Sequence, residues 1–141
     1  MHTLDEIIQF VEKHACIKNV QPTDDLPEKH GIYGDDWHEL LDVYAEKYQV
    51  NCESYLWYFH TGEEGMNIPG KLLFKTPDMR VEHIAVTPEM LLDFANKGKW
   101  GIDYPEHHIP KERNDLVVND LSLVIFIILA VLISLIIGYI K

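Results

Sequence analysis

Two segments in the first third of the chain place apolar residues at helical spacing. Residues 3–15 carry them at i, i+3, i+4 and i+7, and the segment opens with a T-x-x-E capping box formed by Thr3 and Glu6. Residues 35–48 repeat the spacing, and their apolar side chains fall on one side of a helix. These side chains are Trp37, Leu40, Leu41, Tyr44 and Tyr48. Both segments are predicted to be amphipathic helices that bury one face in a common core.

A third helix is marked at both of its ends. Thr87 is a natural N-cap, Pro88 suits the first helical position, and Gly98 is placed to end the helix as a C-cap glycine. Before this helix the signals are mixed: residues 54–59 favour a short helix, and residues 66–86 also allow a short β-hairpin. The pattern as a whole predicts a small, mainly α-helical domain.

The last part of the sequence differs, because its apolar residues are not confined to one face. Residues 121–140 contain no charge, and at about 1.5 Å per residue they reach roughly 30 Å, the thickness of the hydrocarbon core of a bilayer. We predict a C-terminal transmembrane helix over these residues. A linker over residues 101–120, with Pro105 and Pro110 among its charges, joins it to the helical domain at residues 1–100. A helix that is buried against a hairpin partner or in an oligomer core is the alternative.

Charge and cysteine usage indicate which side of a membrane the domain occupies. The formal net charge is −11, and all of it lies before the apolar stretch. This charge opposes binding to nucleic acid and to anionic lipid head groups, and it favours a basic protein partner or plain solubility. The two cysteines form no C-x-x-C pair, and Cys16 is predicted to be a small core residue. No signal-peptide pattern opens the chain, so a tail anchor is expected. Four basic residues, Lys97, Lys99, Lys111 and Arg113, lie shortly before the stretch and only Lys141 follows it. We therefore expect a single-pass inner-membrane protein with its domain in the cytoplasm and its C-terminus outside.

Five carboxylates lie on the side of the second predicted helix that is opposite its apolar face. They are Asp35, Asp36, Glu39, Asp42 and Glu46. We call these five residues the acidic row. Like charges at i, i+4 destabilise an isolated helix by about 0.2–0.5 kcal/mol per pair, so the acidic row does not stabilise the helix. Two interpretations stay open: a solvated helix face, or a docking face for a basic protein partner.

The segment HGIYGDDWHEL at residues 30–40 resembles the start of the second helix of acyl carrier proteins, which runs Gly-x-Asp-Ser-Leu-x-x-x-Glu-Leu. Gly31, Glu39 and Leu40 match that spacing. The order of a first amphipathic helix, a proline-bearing loop and an acidic second helix is similar as well. The resemblance covers residues 3–60 and implies a small, acyl-carrier-like helical domain.

The same segment departs from the carrier pattern at the residue that carries the chemistry. Acyl carrier proteins have Asp-Ser-Leu where this chain has Tyr33, Gly34 and Asp35. The serine hydroxyl takes up phosphopantetheine in that family, and a glycine has no side chain to replace it. No serine or threonine occurs between Thr23 and Ser54. The resemblance therefore implies the fold without the carrier chemistry.

A second resemblance covers most of the chain before the apolar stretch. The segments GIYGDD, YLWYFHTGEEG and TPEMLLDFANKGKW are similar to those of a family of uncharacterised enterobacterial proteins that share a domain of unknown function. That family shows Gly-Asp-Asp, Tyr-Phe followed by Glu-Gly, and a closing helix that ends in Gly-x-Trp. The resemblance implies a small, mainly helical domain and supplies no functional residue.

Eight histidines and many carboxylates raise the question of a metal site or an enzyme. The candidate groups are His107 with His108, His60 with Glu63 and Glu64, and Asp35 and Asp36 with His38. None has the spacing of a metal motif such as H-E-x-x-H, and neither a nucleophile elbow nor a phosphate loop is present. We expect a non-catalytic protein without metal or cofactor. A small-molecule or metal-binding enzyme that uses His60 and Glu63 is the alternative.

The apolar stretch carries small residues at regular spacing. Ala130, Ser134 and Gly138 recur every four residues and share one helix face, which would let two membrane helices approach closely and form a homodimer. Chance is the alternative, because small residues are frequent in membrane spans.

The apolar stretch and the acidic row together predict a tail-anchored membrane protein that presents an acidic helical domain to a basic cytoplasmic partner. A single-span subunit of a membrane complex, with its function in the apolar helix, is a further alternative.

Overall fold

The computed structural model describes residues 1–65 and 67–140, and its regular structure is helical. Its six helices are α1 (Leu4–His14), α2 (Leu26–His30), α3 (Gly34–Tyr48), α4 (Gly70–Leu73), α5 (Pro88–Lys97) and α6 (Asn114–Ile140), with 3-10 turns at Trp57–Phe59 and Asp78–Arg80. The fold is mainly α-helical, as predicted. Lys141, the basic residue expected after the membrane span, and Met66, the first residue of the mixed region, lie outside the described residues.

The short β-hairpin considered for residues 66–86 is wrong, because the described part of this region holds α4 and a 3-10 turn instead of strands. Pro69 and Pro77 explain the outcome, since each lacks the backbone N–H that a strand pair needs and each instead precedes a helical turn. The β-type pairing that the structure does describe is an isolated parallel bridge between Asn51 and Lys99. Residues 54–59, predicted as a short helix, form only the single 3-10 turn.

The chain divides into two compact units. Unit 1 comprises Met1–Glu64 and Pro77–His107, and unit 2 comprises Gly65–Thr76 and His108–Lys141. The predicted domain over residues 1–100 therefore loses residues 65–76, which belong to the unit of the apolar helix. The predicted linker over residues 101–120 is also shorter than expected, because α6 begins at Asn114 and its first seven residues precede the apolar stretch.

Unit 1 is built around the apolar faces of α1, α3 and α5. The side chains that they bury include Ile7, Phe10, Val11, Trp37, Leu40, Leu41, Tyr44, Leu91 and Phe94. Each fully buried side chain of this size contributes about 1.5–3 kcal/mol, so these three faces account for most of the hydrophobic stabilisation of the unit. The predicted ends are confirmed: Thr3 and Glu6 form both hydrogen bonds of the capping box, Thr87 Oγ1 accepts the Met90 N–H, and Gly98 ends α5 in the left-handed conformation.

The end of unit 1 is tied to its core through Tyr104. The Tyr104 hydroxyl accepts hydrogen bonds from the Leu56 N–H at 3.1 Å and from Trp100 Nε1 at 2.9 Å, and it lies 2.8 Å from Nε2 of the fully buried His60. Trp100 folds back on the core and is almost completely buried. The first residues of the predicted linker are therefore packed into unit 1.

Unit 2 contains a helix that is long and apolar enough to cross a membrane. This helix, α6, has 27 residues, and none of the most apolar part of its surface is buried by the described protein. The short helix α4 packs against α6 within the same unit. The sequence prediction of one membrane-spanning helix agrees with this geometry.

Candidate functional site

The five carboxylates of the acidic row occupy exposed positions on α3. Asp35, Glu39, Asp42 and Glu46 follow the spacing i, i+4, i+7 and i+11, which places them along one face, and Asp36 lies beside them. Across the described chain, no lysine, arginine or histidine forms an ion pair with any of the five. The acidic row therefore carries uncompensated negative charge at the surface of unit 1.

The start of α3 explains why a glycine stands at position 34. Gly34 has a positive φ of 50°, and a Cβ built on it would lie 2.1 Å from Oε2 of Glu64. The Glu64 carboxylate accepts the Asp35 N–H at 3.0 Å, while the Gly34 N–H points to Oγ1 of Thr61 at 3.3 Å. A carboxylate is favourable at a helix N-terminus because the helix dipole is positive there. Glu64 thus caps α3 from outside the helix and occupies the space that a side chain at position 34 would need.

A cleft of about 320 Å³ lies beside the acidic row. Asp36, Glu39, Leu40 and Val43 of α3 line one side, and residues 14–17 and 30–32 at the ends of α1 and α2 complete it. The volume is at the low end of the range of about 300–1,000 Å³ that is typical of ligand pockets. We call this feature the acidic cleft.

Cys16 lines the acidic cleft, and its predicted burial in the core is wrong. The residue is exposed and has a positive φ of 54°, because it lies in the turn that follows the end of α1 at His14. Its thiol lies near the Lys13 carbonyl at 3.9 Å. Cys16 and Cys52 are both free thiols in the structure.

Backbone dipoles add to the negative charge of the acidic cleft. The residues at the C-terminal ends of α1 and α2 form part of its lining, and a helix C-terminus carries a partial negative charge. The carboxylates of Asp36 and Glu39 lie on the opposite wall. Two helix ends and two carboxylates therefore favour a cation in this cleft.

Nearby basic groups are already paired with a different carboxylate. Asp24 is buried, and its side chain accepts hydrogen bonds from Lys29, from the Gln21 N–H at 3.0 Å and from His30 Nε2 at 2.9 Å. The hydrogen bond from Lys29, followed by that from Gln21, lowers the pKa of Asp24 to about 2. Asp24 thus offsets the charge of Lys29 and also binds the His30 ring, whereas no ion pair balances Asp36 or Glu39 in the described chain.

The acidic cleft suits the side chain of a lysine or an arginine. Such a side chain has an apolar stem and a charged end, so its stem can pack on Leu40 and Val43 while its end reaches Asp36 and Glu39. An arginine would also bind a carboxylate with two parallel hydrogen bonds. The chemistry that the site offers is therefore recognition of a cationic side chain.

The histidines considered for metal binding are engaged in other contacts. His60 Nδ1 lies 2.7 Å from the Ile84 carbonyl oxygen and its Nε2 lies 2.8 Å from the Tyr104 hydroxyl, so both ring nitrogens have partners within unit 1. His107 contacts the Tyr58 hydroxyl and the Pro105 carbonyl oxygen, each at 2.8 Å. His38 Nδ1 lies 2.9 Å from the Gly34 carbonyl oxygen. The described hydrogen-bond partners of these three rings are thus backbone carbonyl oxygens and tyrosine hydroxyls.

Sequence reasoning missed two groups that only the fold brings together. One is the wall of the acidic cleft contributed by the ends of α1 and α2, because no periodicity shows which helix ends meet α3. The other is Asp25, Glu28 and His83, whose ligand atoms lie within 4.8 Å of one another. His83 and Asp25 are 58 residues apart in the sequence, so no local motif could have indicated this group.

Comparison with known proteins leaves the chain without a relative to guide the assignment. The chain matches no protein-family model, no curated protein and no solved structure. The resemblances to acyl carrier proteins and to the enterobacterial family stay expectations drawn from the sequence.

Proposed function

We propose that the protein is a non-catalytic, single-span membrane protein whose unit 1 docks a basic protein partner in the cytoplasm. The acidic cleft and the adjoining acidic row are the observation that carries this proposal, because their five carboxylates have no ion-pair partner in the described chain. Complementary charge accelerates the encounter with a basic partner and fixes its orientation.

The distribution of charge between the units supports a basic partner. Unit 1 contains 20 acidic and 7 basic side chains, a net charge of −13, whereas unit 2 contains 3 acidic and 5 basic side chains, a net charge of +2. A field of this strength on unit 1 repels nucleic acid and attracts cationic surfaces. We infer that one lysine or arginine of the partner enters the acidic cleft and that others follow the row along α3.

In this proposal α6 anchors the protein in the inner membrane of a bacterium. Lys111 and Arg113 lie directly before α6, and basic residues at the end of a span are retained on the cytoplasmic side. Unit 1 is thereby placed in the cytoplasm, where its partner is expected. The partner is then held close to the membrane without any chemistry at the docking site.

The proposal is tested by reversing the charge of three carboxylates in the acidic row. We expect the triple variant Glu39→Lys, Asp42→Lys and Glu46→Lys to capture a partner from cell extract at least about tenfold less well than the wild type at low salt, a loss of about 1.4 kcal/mol. Raised ionic strength should weaken capture by the wild type, because salt screens charges at an exposed surface. All three positions are exposed, so the variant should keep its fold.

A matched control reverses three other carboxylates of unit 1. Glu82, Asp103 and Glu106 are exposed, and the described structure assigns them no ion pair, so replacing them with lysine changes the net charge by the same amount. The control should capture the partner as the wild type does. Equal losses in both variants would show that only net charge matters, and unchanged capture by the first variant would remove the docking proposal.

A further inference from the structure

The segment around α4 exposes a row of large apolar side chains. In residues 67–75, which we call the α4 segment, the exposed fractions are 65% for Ile68, 76% for Leu72, 66% for Leu73 and 38% for Phe74. Scattered exposed apolar residues are ordinary, but four within seven positions form a continuous patch, and such patches mark interaction surfaces. The α4 segment therefore presents an apolar surface that contact with another apolar surface would stabilise.

Polar contacts fix the α4 segment to the first turns of α6. Asn67 Nδ2 donates to Oδ2 of Asp115 at 2.7 Å, and the Gly70 N–H donates to Oδ1 of Asn119 at 2.7 Å. A Cβ on Gly70 would lie 1.9 Å from the Asp115 carbonyl oxygen, so α4 touches the backbone of α6 directly. Arg113 binds both carboxylate oxygens of Asp115 and holds this buried side chain in place. The position of the α4 segment on α6 is thus defined.

This attachment sets the depth of the α4 segment relative to the membrane span. Asn119 precedes Leu121, the first residue of the apolar stretch, by two residues, which is about 3 Å along a helix axis. If α6 spans a bilayer, residues 121–140 would fill the roughly 30 Å of its hydrocarbon core. The α4 segment would then lie at the boundary between the hydrocarbon and the head groups.

The charge of the α4 segment suits that boundary. Lys71 and Lys75 are exposed, and residues 65–76 contain no acidic residue, although the whole chain has a net charge of −11. Lysine side chains extend their apolar stems along a membrane surface and place the ammonium group among lipid phosphates. Basic residues beside exposed apolar ones are typical of segments that lie in the membrane interface.

We propose that the α4 segment is a second membrane contact beside α6. Ile68, Leu72 and Leu73 enter the outer part of the acyl chains, in the leaflet where α6 begins, and Lys71 and Lys75 bind the phosphates of anionic phospholipids. The occupant of the exposed apolar patch is therefore the bilayer and not a protein. This inference rests on the proposed anchoring of the protein by α6.

Depth measurements in vesicles test the contact. The full chain carries Cys16→Ser and Cys52→Ala, receives a single Leu72→Cys substitution, is labelled with a polarity-sensitive fluorophore and is reconstituted in vesicles of phosphatidylcholine and phosphatidylglycerol. Nitroxide lipids should quench the label at a depth of roughly 5–10 Å below the head groups, the depth of an interfacial segment. Leu73→Cys, measured separately, should give the same depth. Labels at Leu129→Cys, near the middle of the span, and at Glu82→Cys, on unit 1, are the comparison points.

The comparison labels separate failure of the α4 contact from failure of the membrane span. A water-exposed label at both position 72 and position 73, with a deeply quenched label at position 129, would overturn the α4 contact and leave anchoring by α6 intact. A water-exposed label at position 129 would overturn the anchoring and, with it, the α4 contact.

The contribution of the two lysines is tested in the same assay. Replacing Lys71 and Lys75 with glutamate should make the label at position 72 shallower in vesicles with phosphatidylglycerol than in pure phosphatidylcholine, because the acidic head groups then repel the segment. The same depth in both lipids would overturn the proposed binding of anionic phosphates.

Discussion

At the scale of single residues, His60 shows how burial selects one protonation state. The ring is completely buried, and the Ile84 carbonyl beside Nδ1 can only accept a hydrogen bond, so Nδ1 carries the proton. Nε2 then accepts the proton of the Tyr104 hydroxyl, whose oxygen receives the Leu56 and Trp100 N–H groups. Burial lowers the pKa of His60 to about 4, despite the hydrogen bond to Ile84, which acts in the opposite direction. The neutral ring is therefore a buried, hydrogen-bonded part of the core of unit 1.

This protonation state makes the stability of unit 1 depend on pH. The unfolded chain binds a proton at His60 below about pH 6.5, whereas the folded chain does so only near pH 4, so the free energy of unfolding should fall as the pH falls through this window. We expect His60 to contribute a loss of about 2 kcal/mol between pH 7 and pH 5. Urea unfolding in detergent, followed by tryptophan fluorescence, measures it. The variant His60→Gln should show a smaller loss over this range, and the same loss as in the wild type would contradict the assignment.

Gly34 marks the limit of what single residues reveal in the sequence. The sequence alone shows that the serine hydroxyl of acyl carrier proteins is missing there. It does not show the reason for a glycine, because Glu64, which fills the space beside Gly34, lies thirty residues further along the chain. The same limit applies to Asp36 and Glu39. The spacing predicts that both are exposed on a helix, but the cleft beside them depends on where α1 and α2 end.

At the scale of elements, local signals predicted the helices whose ends are chemically marked. Capping residues at Thr3, Thr87 and Gly98 act within one turn of chain, so α1 and α5 begin and end as expected. The region after residue 66 has no such marks. Its short helix α4 depends on a hydrogen bond that the Gly70 N–H donates to Asn119 of α6, which begins more than forty residues later. No local pattern could therefore predict it.

The docking of α4 on α6 depends on the absence of a side chain at Gly70. In the variant Gly70→Ala the Cβ would overlap the Asp115 carbonyl oxygen, so α4 must move away from α6. Overpacking of this kind costs about 1–3 kcal/mol, and protection of the α4 amides should fall by about tenfold or more. Hydrogen exchange of the Lys71, Leu72 and Phe74 amides in lipid discs measures the change, because these amides bond to carbonyls of the same segment.

A second glycine of unit 2 provides the control for this experiment. A Cβ on Gly138 would meet no atom within 4 Å, so Gly138→Ala should leave the exchange of the α4 amides unchanged. Equal exchange rates in Gly70→Ala and the wild type would contradict the close packing of α4 on α6.

At the scale of the whole molecule, charge and apolar surface are divided between the two units. Unit 1 holds nearly all of the negative charge and buries its apolar faces, whereas unit 2 is slightly basic and exposes an apolar helix. The separation is what the proposed function requires, because docking of a basic partner needs a charged unit in water and anchoring needs an apolar helix. Composition predicted an acidic region followed by an apolar helix, because both signals accumulate over many residues and depend little on tertiary contacts. It did not predict that residues 65–76 belong to the unit of that helix, because this depends on contacts between α4 and α6.

Dimerisation through α6 is a further prediction that concerns the whole molecule. Ala130, Ser134 and Gly138 lie on one exposed face of α6, and their small side chains would let the backbones of two copies approach closely. We expect Gly138→Leu to weaken dimerisation by about tenfold, or about 1.4 kcal/mol, because the added side chain separates the helices. Energy transfer between labelled copies in vesicles measures the dimer fraction at several protein-to-lipid ratios.

The control adds bulk to the other side of the same helix. Ile136 lies on the face opposite the small residues, so Ile136→Phe should leave the dimer fraction unchanged. If both variants dimerise as the wild type does, the spacing of small residues in α6 is a product of chance. If both weaken dimerisation equally, the contact involves the whole circumference of α6, as in a larger membrane complex, and is not confined to the face of small residues.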